Sequence, residues 1–244
     1  MINIHHGELR HLQDPQRRKL LHLWNQQLES IPAPERIEWA LRQISHKAVL
    51  TSSFGIQSAV LLHMVATVKP DIPVVFIDSG YLFPETYQFA DRLIELLDLD
   101  VKVFQPRISP AWQESKYGRL WERGIQGIDQ YNSINKIEPI TRALKELAAE
   151  LWIAGPRREQ ANSRRELAIL EQSRFQLPKL HPIVDWSHRQ VHRYLTAHQL
   201  PVHPLWEQGY VSVGDVHSTV PLSEGMVEEQ TRFAGLKREC GLHR

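Results

Sequence analysis

The run Pro73-Val74-Val75-Phe76-Ile77 restricts the fold of this chain more than any other stretch. It is continuously apolar and rich in β-branched residues, with no polar alternation. That pattern describes a strand buried on both faces, as in a parallel sheet covered by helices on either side. It stops at Asp78-Ser79-Gly80, a turn signal, and a helical pattern follows over residues 84–97. Before it, the short apolar run Ala48-Val49-Leu50-Thr51 leads through Ser52-Ser53-Phe54-Gly55 into helical Ala59–Val65, and after it Val101-Lys102-Val103-Phe104 reads as a third strand. Strand, helix, strand, helix, strand predicts an α/β fold with a doubly wound, mostly parallel sheet.

The flanks extend this plan. Residues 14–28 carry Leu20, Leu21, Leu23, Trp24 and Leu28 at helical spacing, Ile31-Pro32-Ala33-Pro34 reads as a break, and Glu35–Ile44 as a second helix. Ile140–Glu150 reads as a helix and Leu151–Ala154 as a strand. Leu180-His181-Pro182-Ile183-Val184 reads as a last short strand, which Pro182 confines to an edge or a strand end. Trp186–Ala197 reads as a helix, with Asp185 and Trp186 expected to cap and anchor it. Pro204, Gly209, Gly214, Pro221 and Gly225 mark a loop-rich tail. The expected organisation is one domain over 1–244, with a helical extension at 1–30 and a C-terminal segment at 201–244.

Composition removes several classes of function. A net charge of +1 provides no global field for nucleic acid or a membrane surface. No apolar run approaches the roughly 18 residues of a bilayer span. A single cysteine excludes an intrachain disulfide framework and suits a reducing compartment, read here as the cytoplasm.

Ligands of open α/β sheets bind beyond the carboxyl ends of the strands. Three loops leave those ends: Ser52–Ser58, Asp78–Phe83 and Gly155–Arg164. The first offers hydroxyls, backbone N–H groups and a helix N-terminus, with Gly55 permitting close approach. It is either an anion cradle or an ordinary helix cap by Ser52 or Ser53. The third packs Arg157, Arg158, Arg164 and Arg165 into nine residues. It is either a bidentate anion site or a solvated helix start paired with Glu159 and Glu166. Gly209 and Gly214 have Walker-like spacing, but Asp215-Val216 follow where Lys and Ser/Thr are needed. His188 and His192 lack the intervening Glu of a zinc protease and read as surface histidines. Trp112, Trp121, Trp152 and Trp206 read as packing residues.

Cys240, the lone thiol, stands in Lys237-Arg238-Glu239-Cys240-Gly241-Leu242-His243. Lys237, Arg238 and His243 favour its thiolate, the reactive form, which is scarce at neutral pH for a thiol of pKa about 8.5. It is a nucleophile that an external thiol must regenerate, or an incidental tail cysteine.

Together with Asp78-Ser79-Gly80-Tyr81-Leu82-Phe83-Pro84-Glu85-Thr86-Tyr87 and Lys136-Ile137-Glu138-Pro139, these segments resemble the phosphoadenosine phosphosulfate (PAPS) reductase family of assimilatory sulfate reduction. The resemblance runs from about Ala33 to Arg244. It implies an adenine-nucleotide α-hydrolase-like fold, a homodimer, and an oxidoreductase of cysteine biosynthesis. The implied reaction reduces PAPS to sulfite and adenosine 3′,5′-bisphosphate with reduced thioredoxin, or glutaredoxin, through an S-sulfonated Cys240. It also implies that Ser52, Ser53, Phe54, Gly55 and Gln57 hold the phosphate side, that Asp78 and Gly80 shape the adenosine pocket, and that Arg157, Arg158, Gln160 and Arg164 hold the phosphosulfate. Lys136 or one of the family's arginines would read the 3′-phosphate, with Lys237, Arg238 and His243 beside the thiol.

Two departures sharpen the expectation. In the related pyrophosphatase loop Ser-Gly-Gly-x-Asp-Ser, Ser53, Gly55 and Ser58 match, while Phe54 and Gln57 replace the second glycine and the aspartate, which argues against an ATP-consuming ligase. Adenosine phosphosulfate (APS) reductases are similar but carry a four-cysteine [4Fe–4S] site, where Tyr131-Asn132 and Asp215…Ser218 stand in this sequence. One cysteine cannot hold such a cluster, so no cofactor and no metal are expected. The alternatives are a cluster-free enzyme acting on APS and a non-catalytic nucleotide-binding regulator.

Overall fold

The computed structural model describes residues 13–237. Its strands are β1 (Ala48–Ser52), β2 (Val74–Ile77), β3 (Val101–Phe104), β4 (Leu151–Ile153), β5 (Leu170–Gln172) and β6 (Pro178–Leu180). They form one sheet in the order β3-β2-β1-β4-β6-β5, parallel except for the β5–β6 pair. The helices are α1 (Asp14–Glu29), α2 (Ala33–Gln43), α3 (Ser58–Val68), α4 (Pro84–Leu97), α5 (Pro110–Tyr117), α6 (Gly124–Asn132), α7 (Glu138–Glu146) and α8 (His188–Ala197). From β1 the chain winds outward to β2 and β3, then returns to β4 on the other side of β1. The order therefore reverses between β1 and β4, and a crevice opens at their carboxyl ends.

Successive strand residues point to opposite faces, and both faces are apolar. Leu50, Val74, Ile153 and Leu180 join one core with residues of α1–α4 and α8. Val49, Val75, Trp152 and Phe104 join the other, under Ile140, Ala143 and Leu144 of α7. Helix α3 buries Ala59, Val60, Leu61, Leu62, Met64 and Val65. A helix apolar nearly all round belongs in an interior, and α3 follows β1 directly into it.

Several boundaries differ from expectation. Pro34 does not break the chain but sits in the first turn of α2, where its fixed φ and missing N–H suit a helix start. The strand expected at 180–184 lies at Pro178–Leu180, ahead of Pro182. It is interior rather than an edge, because β5 pairs beyond it. Pro178 is its first residue, a position a strand tolerates. Helix α8 is capped by Ser187, not Asp185: the Ser187 hydroxyl accepts from Gln190 N–H and the Gln190 amide accepts from Ser187 N–H at 2.8 Å, a capping box. The N-terminal helix covers the sheet edge. The Asn25 side-chain amide donates to Leu170 O at 2.8 Å and accepts from Leu170 N at 2.9 Å, so it continues the β5 ladder as a strand would.

Asp185 instead receives Arg36, whose Nη1 and Nη2 donate to its two oxygens at 2.8 and 2.7 Å. Arg36 is 3% exposed and also donates to Leu28 O and Pro182 O. This fork ties α1 and α2 to the chain that enters α8. Arg36→Ala orphans those acceptors, and it is expected to lower unfolding free energy by roughly 2–4 kcal/mol; Arg36→Lys recovers only part, lacking the planar fork. Urea midpoints at unchanged slope measure it, and a shift below about 1 kcal/mol would contradict the assignment.

Candidate active site at the carboxyl end of the sheet

A cleft of about 290 Å³ opens at the β1–β4 crevice, near the lower end of the range for small-molecule sites. Four cationic side chains line it (Lys136, Arg157, Arg164 and Arg232) against one carboxylate, Glu228. In a chain of net charge +1 this is a concentrated positive site. Its remaining wall is largely aliphatic and includes Leu50, Val75, Ile140 and Val213. An apolar wall beside clustered cations suits a ligand with a flat base at one end and several negative charges at the other.

The loop after β1 supplies Ser52, Ser53, Gly55 and Gln57 to the cleft. Ser52 Oγ accepts from Phe54 N at 3.1 Å and Ser58 Oγ donates to Gly55 O at 2.9 Å, which fixes the turn. No side chain caps α3, so neither Ser52 nor Ser53 serves as its N-cap and the helix start faces the cleft uncapped. Phe54 is not among the lining residues. Its backbone is left-handed, at φ 47°, and its ring is fully buried edge-on to Phe76 at 4.9 Å. It turns the loop by anchoring it in the core.

The loop after β4 supplies Arg157, Gln160 and Arg164. Arg157 is 1% exposed, and its guanidinium donates to Trp186 O at 3.0 Å and to the Gln57 side-chain oxygen. It therefore bridges the two loops that form the cleft, and burial lowers its pKa. Gln160 Oε1 accepts from Arg157 N at 3.0 Å and from Arg164 Nη1 at 2.6 Å, which holds Arg164 at the wall. Arg158 points elsewhere and donates to Leu167 O at 2.9 Å. His188, read as a surface residue, is half-exposed yet stands on the cleft wall, with Nδ1 3.4 Å from Arg157 Nη2.

Asp78 and Gly80 also stand outside the lining. Asp78 Oδ1 accepts from Gly80 N at 2.8 Å and Tyr87 OH at 2.7 Å, and Oδ2 from Gln105 at 2.7 Å. This carboxylate organises the β2 loop. Gly80 has φ +76°, and a Cβ there would lie 2.6 Å from Pro110 Cγ, so only glycine fits. Lys136 reaches the cleft from a π-helical turn, Ser133–Ile137, between α6 and α7, and donates to Asp215 at 2.9 Å.

Arg232 and Gly214 were not legible as site residues. Arg232 sits in the loop-rich tail with no motif around it, and its placement depends on a bridge to Thr219. Among the described residues, its buried Nε has no hydrogen-bond partner. Its guanidinium lies over Gly214, where an added Cβ would come within 2.3 Å of Nη2. Gly214→Ala is therefore expected to push Arg232 off the wall and weaken anionic-ligand binding about tenfold, the scale of one charge-assisted hydrogen bond, with the fold intact. Titration calorimetry with a nucleotide bisphosphate checks this, and unchanged affinity would exclude the arrangement. Lys237, the last described residue, contacts the Asp129 carboxylate on α6. Arg238, Cys240 and His243 lie outside the described residues.

A doubly wound sheet with a cationic cleft at its reversal point defines a nucleotide-binding α/β protein of the adenine-nucleotide α-hydrolase-like class. Solved structures agree. The fold matches a crystal structure of PAPS reductase from Candida auris in complex with phosphate, with TM-score 0.72 and 29% identity over 82% of this chain and 96% of that one. It also matches FMN adenylyltransferase from Candida glabrata, with TM-score 0.59 and 13% identity over 92% and 76%, a likeness of fold alone. The family model for the phosphoadenosine phosphosulfate reductase domain matches residues 47–221. The phosphoadenosine 5′-phosphosulfate reductase of Yersinia enterocolitica is 56% identical over 97% of both chains, and that of Serratia proteamaculans 57% identical over 90% of this chain and 89% of its own. The chain belongs to the phosphoadenosine phosphosulfate reductase family.

Proposed function

We propose that this enzyme reduces PAPS to sulfite and adenosine 3′,5′-bisphosphate, with Cys240 as nucleophile and reduced thioredoxin as electron donor. The observation that carries the reading is the cleft, in which four cations face an aliphatic wall at the reversal point of the sheet. PAPS brings a flat adenine and three anionic groups to such a site. Family membership supports the same substrate. Chain length supports the nucleophile: Cys240 follows the cleft residue Arg232 by eight positions, a span of at most about 28 Å when extended.

The Cys240 thiolate attacks the sulfur of the sulfo group. The bond from that sulfur to the bridging phosphate oxygen breaks, and the electron pair leaves with the bisphosphate. Cys240 then carries an S-sulfonate. A thioredoxin thiolate attacks Cys240 Sγ, sulfite departs with the electron pair of the S–S bond, and the second thioredoxin thiol resolves the mixed disulfide. Sulfur gains the two electrons that the dithiol loses. With one cysteine the chain has no intramolecular dithiol and no ligand set for a [4Fe–4S] cluster, so the donor is external. Arg157, Arg164, Arg232 and Lys136 neutralise charge on the leaving bisphosphate.

The family resemblance implies a homodimer, and we place the enzyme in the cytoplasm. The solitary thiol suits a reducing compartment, and among the described residues no helix is long and apolar enough to cross a membrane. Intact mass after mixing the protein with PAPS alone tests substrate and site together. The expected result is one added sulfonate on the C-terminal peptide. Modification by APS at an equal rate, or nucleotide binding with no adduct and no sulfite, would replace the reading with one of the alternatives.

A further inference from the structure

Behind the lining of a cleft that concentrates four cations for a polyanion lies a fully buried carboxylate, Asp215, 1% exposed and paired with the lining residue Lys136 at 2.9 Å. Its charge lowers the positive potential offered to the ligand, so its presence calls for a role other than attraction. We propose that Asp215 is a positioning residue, which holds the Lys136 ammonium against the cleft wall with its free N–H groups turned toward the ligand. The inference rests on the reading that the cleft takes an anionic nucleotide.

The geometry has three parts. Asp215 Oδ1 accepts from Lys136 Nζ at 2.9 Å and from Ser79 Oγ, so one oxygen cross-links the loop after β2 to the π-turn before α7. Asp215 is itself rigidly seated. Its main-chain oxygen accepts from Ser218 Oγ and Thr219 Oγ1, each at 3.0 Å, its backbone bridges Leu82, and the next residue, Val216, donates to Tyr81 O at 2.8 Å. Lys136, by contrast, is a flexible stem on a π-turn, a distortion that recurs at functional sites because it re-aims side chains. The ammonium has three donors, of which Asp215 takes one and leaves two. Burial opposes the Asp215 charge, but Lys136, Ser79 and Arg232 outweigh it and bring the pKa to about 2, so the anion persists across the working range.

A double-mutant cycle tests this with Asp215→Asn, Lys136→Met and the pair. It is run on equilibrium binding of adenosine 3′,5′-bisphosphate and, separately, on sulfite release from PAPS. Asp215→Asn is expected to weaken binding about tenfold and lower kcat/KM by about 10²-fold, and to add little in the Lys136→Met background. Removal of a bystander anion has the opposite sign: the bisphosphate binds more tightly and KM falls with kcat unchanged, an outcome that overturns the proposal. Full additivity in the double variant overturns it as well. Lys136→Met strands the buried Asp215 carboxylate and Asp215→Asn leaves the ammonium unpaired, so a urea midpoint accompanies each affinity. Where either single variant fails to fold, Asp215→Glu, which keeps the pair charged but re-aims the ammonium, replaces it. Asp215→Glu is expected to weaken bisphosphate binding severalfold, and wild-type affinity there overturns the proposal. A wild type that binds bisphosphate, couples the two residues and releases no sulfite refutes the proposed reaction and leaves this inference standing.

Discussion

Cys240→Ser abolishes sulfite formation while the cleft continues to bind nucleotide. The expected loss in kcat exceeds about 10⁴-fold, because two steps fail together. A serine hydroxyl is a poor nucleophile at neutral pH without an activating base. Any transfer that did occur would give an O-sulfate ester, which presents thioredoxin with no sulfur–sulfur bond to exchange. Binding of adenosine 3′,5′-bisphosphate rests on the cleft cations and is expected to stay within about threefold of wild type, since binding and the chemical step are separable in a nucleophile variant. The decisive measurement is therefore a pair, with sulfite release and bisphosphate affinity determined on one preparation. Sulfite release above trace in the variant would remove Cys240 from the mechanism. A parallel loss of affinity would make the cysteine a structural residue.

Legibility in the sequence follows the range of the forces that place each residue. Strands β1, β2 and β4 are short, but they are buried on both faces, and that leaves a continuous apolar run in the sequence. Strand β5 is Leu170-Glu171-Gln172, with no apolar periodicity. It exists because β6 offers an edge and the Asn25 amide closes the other side, so its cause lies far along the chain. Helices α5 and α6 are eight and nine residues long with few buried positions, too short for periodicity to stand out, although Ser109 ahead of Pro110 is a readable cap. The site divides in the same way. Ser53, Gly55, Gln57, Arg157 and Arg164 follow strands directly, so the α/β plan alone delivers them to the crevice. Arg232, Gly214 and Asp215 arrive through isolated bridges, Thr219 to Arg232 and Leu82 to Asp215, that no local pattern announces. Phe54 is the instructive case. Its neighbours belong to the loop, but its own side chain obeys the hydrophobic effect and goes to the core against Phe76.

Acid destabilises the fold well above the range in which carboxylates titrate, through histidines buried in neutral form. His203 is fully buried, its Nε2 3.1 Å from Thr86 Oγ1 and its Nδ1 accepting from Leu205 N at 3.2 Å. A proton on Nδ1 would oppose the Leu205 N–H, and burial lowers the pKa to about 4. His181 is equally buried and donates from Nδ1 to Ala168 O at 3.0 Å. Burial, and then the positive Lys179 two residues away, lower its pKa to about 3. In the unfolded chain both rings titrate near 6.5. As pH falls below 6.5 the unfolded state takes up protons that the native state refuses, so stability declines, and the decline ends only at the native pKa values. Each site contributes a slope of roughly 1.4 kcal/mol per pH unit across that window, so two give about 2.8 per unit, and one unit of acid removes a large share of a total stability of about 5–15 kcal/mol. His217 adds to the same trend, its pKa lowered to about 4 by burial and by Lys136 and Arg232 beside it. Below pH 4 the loss of the Asp215 charge joins in, from its ordinary value of 3.8 down to about 2. Urea midpoints at pH 7, 6 and 5 are expected to fall at constant denaturant slope, more from pH 6 to 5 than from 7 to 6, with the decline reduced by about a third in His203→Gln. A midpoint that holds constant from pH 7 to pH 5 would mean that these rings reach solvent in the native protein and that the core around Thr86 and Ala168 is open to water.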